Sequence, residues 1–340
     1  MAVSRRAAFA FAVAGSLALP AGAAPEAAFQ KGFTLGGWSR DDYAAPEVAG
    51  QLRALAHAGV EWLALTPRWL QAERDSTAIA PHPERSPSDA SVRNVIRAAH
   101  ALGLRVFLKP QLDLTGAGWR GEIAFASEAD WQAWFASYEA FIVHHAALAA
   151  EERVALLCVG VELDATRHRE ADWRRVVASV RARYKGPLVY AANFGRERDI
   201  AWWDALDYAG VDAYFPVANS PEPSLPEARA AWRPHLAGLR TWAERIGKPV
   251  LFTEIGYRSA RNAGRQPGEW QLVQAPSPAQ QALLYRAALE SLWPEPWLAG
   301  LYWWLWDVRP LRDPERDAGY SPQAKPAEAV LREFYGRTDR

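Results

Sequence analysis

Two short stretches decide the reading of this chain: Cys158-Val159-Gly160-Val161-Glu162 and Leu251-Phe252-Thr253-Glu254. Each is an apolar, β-rich run that stops abruptly at a glutamate. Such a run reads as a buried strand. A carboxyl at its end stands at the rim of a sheet, beside loops, where burial tunes its proton affinity. A lone strand-end glutamate is as readily a solvated loop residue or an ion-pair partner. Two of them, closing two different strands, predict a paired-carboxylate site.

Working outward, the same kind of run recurs along the chain. Strands are expected at Gly32–Trp38, Trp62–Trp69, Arg105–Leu112, Ala155–Leu163, Leu188–Phe194, Tyr208–Pro216, Pro249–Tyr257 and Gly300–Asp307. Amphipathic helices fall between them. Ser88-Asp89 caps one in which Val92, Ile96 and Ala99 repeat at helical spacing before Gly103. Others are expected at Glu128–His145, Trp173–Tyr184, Ala228–Ile246, Ser277–Leu292 and Ala327–Tyr335. Strands alternating with helices in this number predict an α/β fold, a single (β/α)₈ TIM barrel, in which the two glutamates close the fourth and seventh strands. A doubly wound open sheet would carry a Gly-rich phosphate loop after its first strand, and Gly36-Gly37-Trp38 is not one. The Pro- and charge-rich stretch Ala78–Ser88 and the stretch Gly264–Ser277 read as loops following strands, on the face where a barrel keeps its active site.

Arg5-Arg6, the apolar run Ala7–Leu19 and Ala21-Gly22-Ala23 read as a signal peptide over 1–23, cut after Ala23, with the barrel domain over 24–340. The expectation is therefore export to the periplasm or the extracellular space. No later stretch has the roughly 18 consecutive apolar residues of a membrane span. Lys and Arg together number 39, as do Asp and Glu, so no long-range field draws the chain to nucleic acid or anionic lipid. Cys158 is the single cysteine, which rules out an intramolecular disulfide. The chain lacks HExxH, paired CxxC and EF-hand patterns, and His144 and His145 are adjacent on a helix rather than at ligand spacing. Neither a metal nor a cofactor is expected, and the absence of a Gly-x-Ser-x-Gly elbow argues against a serine hydrolase. A monomer is expected.

Two carboxyls at one mouth are what glycoside cleavage requires. In the retaining form they stand roughly 5–5.5 Å apart, one protonated to donate to the leaving oxygen and one ionised to attack the anomeric carbon. The 17 tryptophans suit such a substrate, because some can serve as flat platforms for sugar rings while the rest fill the core. Lys109, Gln111 and Asp113 share one face at the end of the third strand and could bind sugar hydroxyls, or Lys109 and Asp113 could pair with each other. Asp212 shares a face with Tyr214, and Asp164 reads as a helix-cap residue.

Several segments carry a family resemblance. Leu108-Lys109-Pro110-Gln111-Leu112-Asp113, Cys158–Leu163, Tyr190-Ala191-Ala192-Asn193-Phe194, Val211–Pro216, Leu251–Arg258 and Tyr302-Trp303-Trp304-Leu305-Trp306 together resemble glycoside hydrolase family 113, the β-1,4-mannanase-type barrels of clan A. The resemblance runs from about Gly32 to Trp306 and is most specific in Phe252-Thr253-Glu254-Ile255-Gly256-Tyr257-Arg258. It implies a retaining β-glycoside hydrolase, with β-1,4-mannan as the expected substrate and an endo-acting mannanase as its narrowest form. Glu162 is the implied acid/base and Glu254 the implied nucleophile. Tyr214 would hydrogen-bond the nucleophile and Trp304 would lie beneath the sugar at the cleavage site. Lys109, Asp113, Asn193, Asp212, Tyr257 and Trp306 complete the expected substrate-binding set. By strand parity Tyr302, Trp304 and Trp306 share one face. The chain departs from many clan members at Val161, where an asparagine before the acid/base binds the sugar 2-hydroxyl; Asn193 or Lys109 is the candidate replacement. Val161 also keeps open a non-catalytic carbohydrate-binding barrel, and a transglycosylase or exopolysaccharide-processing enzyme is a further alternative.

Overall fold

The computed structural model describes residues 29–339, and the expected signal peptide lies outside them. Among the described residues ten strands form: β1 (Gln30–Gly36), β2 (Trp62–Leu65), β3 (Arg68–Gln71), β4 (Arg105–Leu108), β5 (Gln111–Leu114), β6 (Leu156–Val161), β7 (Leu188–Asn193), β8 (Tyr208–Asp212), β9 (Val250–Ile255) and β10 (Leu298–Asp307). Eight of them close a parallel barrel in the order β1, β2, β4, β6, β7, β8, β9, β10. The (β/α)₈ expectation holds, with β6 and β9 as the fourth and seventh staves.

Two expected strands divide. Pro67 and Pro110 have no N–H to give a ladder, and at these points the runs Trp62–Trp69 and Arg105–Leu112 each split into a barrel strand and a short outer one. The outer strands β3 and β5 pair with each other, Arg68 opposite Gln111 and Gln71 opposite Leu114. This ribbon carries Arg68, Gln111 and Asp113 up from the barrel toward its mouth.

Among the described residues seven helices wrap the barrel: α1 (Val48–His57), α2 (Asp89–Ala101), α3 (Glu128–Glu151), α4 (Glu170–Arg183), α5 (Leu225–Ile246), α6 (Pro278–Leu292) and α7 (Pro326–Tyr335). Of these α1 was not anticipated. The Ser88 hydroxyl accepts from the Ser91 N–H to start α2, whose buried Val92, Val95, Ile96 and Ala99 form one stripe. In α5, Ser224 and Glu227 form a reciprocal capping box, and Gly247 ends the helix in the left-handed region at φ 61°. Ala78–Ser88 and Gly264–Ser277 are loops, as expected. Among the described residues no helix is long and apolar enough to cross a membrane.

Apolar side chains sort into two layers by strand alternation. Trp62, Ala64, Phe107, Leu156, Cys158, Val161, Val189, Ala191, Leu251 and Tyr302 fill the barrel interior. Leu63, Leu65, Val106, Leu108, Leu157, Val159 and Phe252 point outward against the helices.

The alternation breaks where the site is built. β9 carries an extra residue, because Val211 faces Phe252 while Asp212 faces Glu254. Strict parity from Leu251 would turn Glu254 outward with Phe252; the bulge at Thr253 turns it in. A second bulge lies in β6, where Cys158 faces Val189 but Val161 faces Ala191. Gly160 makes it possible, since a Cβ there would sit 2.8 Å from the Tyr190 ring and 2.9 Å from that of Trp173. A third bulge, in β10, sets Trp303 opposite Phe33 but Trp306 opposite Leu35.

Candidate active site

Glu254, at the inward turn of β9, is almost fully buried and is gripped by three donors. Tyr214, just beyond β8, donates its hydroxyl to Glu254 Oε2 at 2.7 Å. Gln111 Nε2 donates to Oε1 at 3.3 Å, and Lys109 Nζ donates to the same oxygen. Lys109 also donates to Asp212, at 3.0 Å to Oδ1 and 3.2 Å to Oδ2. Thr253 Oγ1 adds a 2.7 Å bond to Asp212 Oδ1, so the bulged residue is itself part of the scaffold. Burial alone would draw the Lys109 ammonium toward its neutral form, but Asp212 and Glu254 outweigh it and hold the group charged well above its ordinary range. Burial, and then Glu254, push the Asp212 carboxyl well up, against the pull of Lys109.

Glu162 follows β6 at a φ of 50°, in the left-handed region that a non-glycine residue enters only under constraint. Its N–H donates to the Ala191 carbonyl at 2.8 Å, which pins it there. Its carboxyl has few partners. Trp119 Nε1 donates to Oε2 at 3.3 Å, and Arg120 stands 3.8 Å away, with most of its bonding spent on Asp113 at 2.5 Å. Burial raises the Glu162 carboxyl to about 6; Arg120 opposes the rise and Glu254 adds to it.

Asp113 is held between Arg120 and Arg68, the latter at 3.3 Å. Although burial works against the charge, the two guanidiniums keep Asp113 below the usual carboxylate range. Arg68, Lys109 and Arg120 thus meet Asp113, Glu162, Asp212 and Glu254. Glu162, whose side chain keeps 14% of its surface exposed, is placed to exchange a proton at the mouth.

The expected residues divide in three. Glu162, Glu254, Tyr214 and Asp113 are brought together at the C-terminal mouth. Trp304 joins them at the rim, its ring 5.7 Å from that of Trp38, over which the Arg68 guanidinium lies. Asn193 is half-buried at the end of β7 and donates to Asp164 Oδ2 at 3.4 Å. Asp164 therefore anchors an amide, and its side chain caps no helix.

Four expected substrate-binding residues are corrected by their placement. Lys109 and Asp212 have no exposed side-chain surface, so they brace Glu254 from below and do not reach a substrate; Lys109 pairs with Asp212 rather than with Asp113. Tyr257 is buried in the outer layer among the helices. Trp306 faces outward too, donating to Gln51 of α1 at 2.8 Å and packing edge-on to Phe33. Parity put Trp306 on the face of Tyr302 and Trp304, and the β10 bulge undoes that parity.

Sequence reading missed Arg68, Trp119, Arg120 and Trp38. Trp119 and Arg120 had a usable signal in Gly116-Ala117-Gly118-Trp119-Arg120-Gly121, a glycine-flanked aromatic–cation pair just after the third barrel strand. Gly121 leaves room for the folded-back indole, which a Cβ would meet at 2.3 Å.

Residues 33–325 match the family description Glycoside Hydrolase Family 113. No curated protein sequence matches the chain. Among solved structures, the family 113 β-mannanase AaManA from Alicyclobacillus acidocaldarius, in complex with ManMIm, is 32% identical with a TM-score of 0.84, over 91% of this chain and 97% of that one. Another, described as a family 113 β-1,4-mannanase, is 26% identical at TM-score 0.84, over 92% of this chain and all of that one. A family 5 mannosidase from Rhizomucor miehei, 13% identical at TM-score 0.60 over 92% and 93% of the two chains, shares the fold.

Proposed function

We propose that this chain, which belongs to glycoside hydrolase family 113 and is a glycoside hydrolase, cleaves β-1,4-linked mannan with retention of configuration. Glu254 is the nucleophile and Glu162 the acid/base. The observation that carries this reading is the opposite surroundings of the two carboxyls. Three donors converge on Glu254 and fix its oxygens as acceptors, whereas Glu162 is half-buried with one long hydrogen bond, and desolvation raises its carboxyl to about 6. Two carboxyls whose environments divide an acid from a base are the working pattern of retaining glycosidases.

The steps follow from that division. Glu254 attacks the anomeric carbon while Glu162 gives its proton to the departing glycosidic oxygen, forming a glycosyl ester on Glu254. Glu162, now ionised, takes a proton from water, and that water's oxygen displaces Glu254 and restores the free sugar. Trp304 supports the sugar at the cleavage point. With Val161 in the barrel interior and Lys109 beneath the nucleophile, Asn193 supplies the contact to the sugar 2-hydroxyl. The names of the similar structures support mannan as the substrate. A leader over residues 1–23 fits a polymer met outside the cell, and export to the periplasm or beyond is part of the proposal.

The test is turnover on a panel of β-mannan, β-glucan, xylan and galactan oligosaccharides, with Glu162→Gln and Glu254→Ala beside the wild type. Cleavage confined to mannan and abolished in both folded variants is expected. Wild-type-like turnover in either variant would sink the assignment, and preference for another glycan would overturn the substrate.

A further inference from the structure

The paired outer strands set Arg68 and Asp113 on one face of their ribbon, because Arg68 stands opposite Gln111 and Asp113 lies two residues further along β5. Each nitrogen of the Arg68 guanidinium has a fixed acceptor. Nε donates to the Arg85 carbonyl at 3.0 Å, Nη2 to the Trp38 carbonyl at 3.0 Å, and Nη1 to Asp113 Oδ2 at 3.3 Å. A guanidinium held by two backbone carbonyls is a rigid mount, so Asp113 is fixed through that oxygen in one direction. Its other oxygen, Oδ1, accepts from Nε and Nη2 of Arg120, at 3.1 and 2.5 Å. Burial works against the Asp113 charge, but Arg120 and Arg68 together hold it below the usual carboxylate range, hence ionised wherever Glu162 titrates.

This grip decides where Arg120 stops. Its remaining nitrogen, Nη1, faces Glu162 Oε2 at 3.8 Å, beyond hydrogen-bond range. Trp119 Nε1 donates to that same oxygen at 3.3 Å. The other charges acting on Glu162 are Glu254 and Asp212, with the Lys109 cation bonded to both. Desolvation raises the Glu162 carboxyl, and Arg120 is the strongest of the groups that oppose the rise. A close arginine partner lowers a carboxyl by about 1–3 pH units, which would ionise the acid before the leaving oxygen needs its proton. At 3.8 Å the cation still favours the carboxylate left after that proton is given, since Coulomb attraction falls only with the first power of distance.

We propose that Asp113 is a positioning residue: anchored by Arg68, it holds Arg120 short of a direct ion pair with Glu162, so that the acid keeps its proton until the glycosidic oxygen departs. The inference rests on the reading of Glu162 as the acid/base. Asp113 then serves the reaction without touching the substrate, in place of the sugar-binding role expected of it.

The experiment titrates Glu162 in the resting enzyme by carbon-13 NMR of protein labelled at its glutamate carboxyls, the resonance being identified by its loss in Glu162→Gln. The wild-type midpoint should lie near 6. Asp113→Asn frees Arg120 to close on Glu162 and should lower the midpoint by about one pH unit or more. The alkaline limb of kcat/KM should move to lower pH with it. Arg68→Gln combined with Asp113→Asn removes one cation and one anion, leaves the net charge unchanged, and should lower the midpoint as well. In an Arg120→Met background, Asp113→Asn should give no such drop. An equal drop there would mean that the lost Asp113 charge acts by itself, and overturns the proposal; so does an unmoved or raised midpoint in Asp113→Asn. Where Asp113→Asn fails to fold, the charge-balanced pair decides in its place, and failure of both makes Asp113 a structural buttress and also overturns the proposal. The titration needs no turnover. If the wild type cleaves no mannan but the midpoints fall in the stated order, the positioning stands and the mannanase reading falls; mannan cleavage with an unmoved midpoint is the reverse.

Discussion

The Lys109 ammonium donates to the Glu254 carboxylate from directly beneath it, and no part of the lysine side chain reaches solvent. A cation so placed cannot bind sugar; its work is to let a carboxylate exist in a buried cradle that also contains Asp212. Removing one partner of a buried, bonded charge leaves the others uncompensated, which typically costs about 3–5 kcal/mol.

Lys109→Met should therefore lose stability of about 3 kcal/mol or more in denaturant unfolding. In whatever folds, kcat should fall by at least a hundredfold, because Glu254 loses the cation that donates to its Oε1 and holds that oxygen as an acceptor. Wild-type stability and activity in this variant would show that the cradle does not depend on its cation.

Tyr214→Phe removes only the 2.7 Å bond to Glu254 Oε2. A hydrogen bond to a charged group is worth roughly 1.5–3 kcal/mol, so kcat should fall about ten- to a hundredfold. KM should change little, since the hydroxyl acts on the nucleophile. Steady-state kinetics on a mannan oligosaccharide read the split, and a change confined to KM would contradict it.

The Glu162 carboxyl, raised to about 6 by burial, must be protonated to act on the first step. Activity should hold below that value and decline as pH rises through it. Arg120 lowers the same group, so Arg120→Met should move this limb to higher pH. The linkage to stability has the same sign. A carboxyl whose folded value lies above its unfolded one favours the folded state fully below about 4.5, and this contribution is lost as pH rises through about 6. The kcat/KM pH profile of the two proteins checks the shift; an unmoved or lowered limb would refute it.

Gly160→Ala should destabilise the barrel by about 1–3 kcal/mol, an overpacking cost. The added methyl meets the rings of Tyr190 and Trp173 where β6 bulges. Because the same bulge precedes Glu162, activity should fall with stability rather than independently of it. Urea unfolding beside kcat/KM at low temperature decides, and full activity with a native midpoint would mean the bulge tolerates a side chain.

What the sequence made legible follows from period and punctuation. Apolar runs ending at Glu162 and Glu254, with capped amphipathic helices between, were enough to set the barrel and to put both carboxyls at one mouth. Residues whose facing depends on bulges were not readable. Trp306 and Tyr257 were expected near the substrate, yet they lie among the outer helices, since a single extra residue reverses a strand's parity. Lys109 was recognisable as a member of the site but not as its floor, because depth along a strand leaves no mark in the pattern. Arg68 went unseen because it reaches Asp113 from another stave, 45 residues away in the chain, whereas Arg120, only 7 residues from Asp113, had its signal in the glycine-flanked loop.

The central claim is that Glu254 forms a covalent bond to the sugar and Glu162 serves it as acid and then base. The most direct measurement is proton NMR of a β-manno-oligosaccharide digest in its first minutes, before mutarotation. The account predicts that the β-anomer of the new reducing end appears first and drifts to the equilibrium mixture. First appearance of the α-anomer would mean a single displacement by water, and would contradict the role given to Glu254.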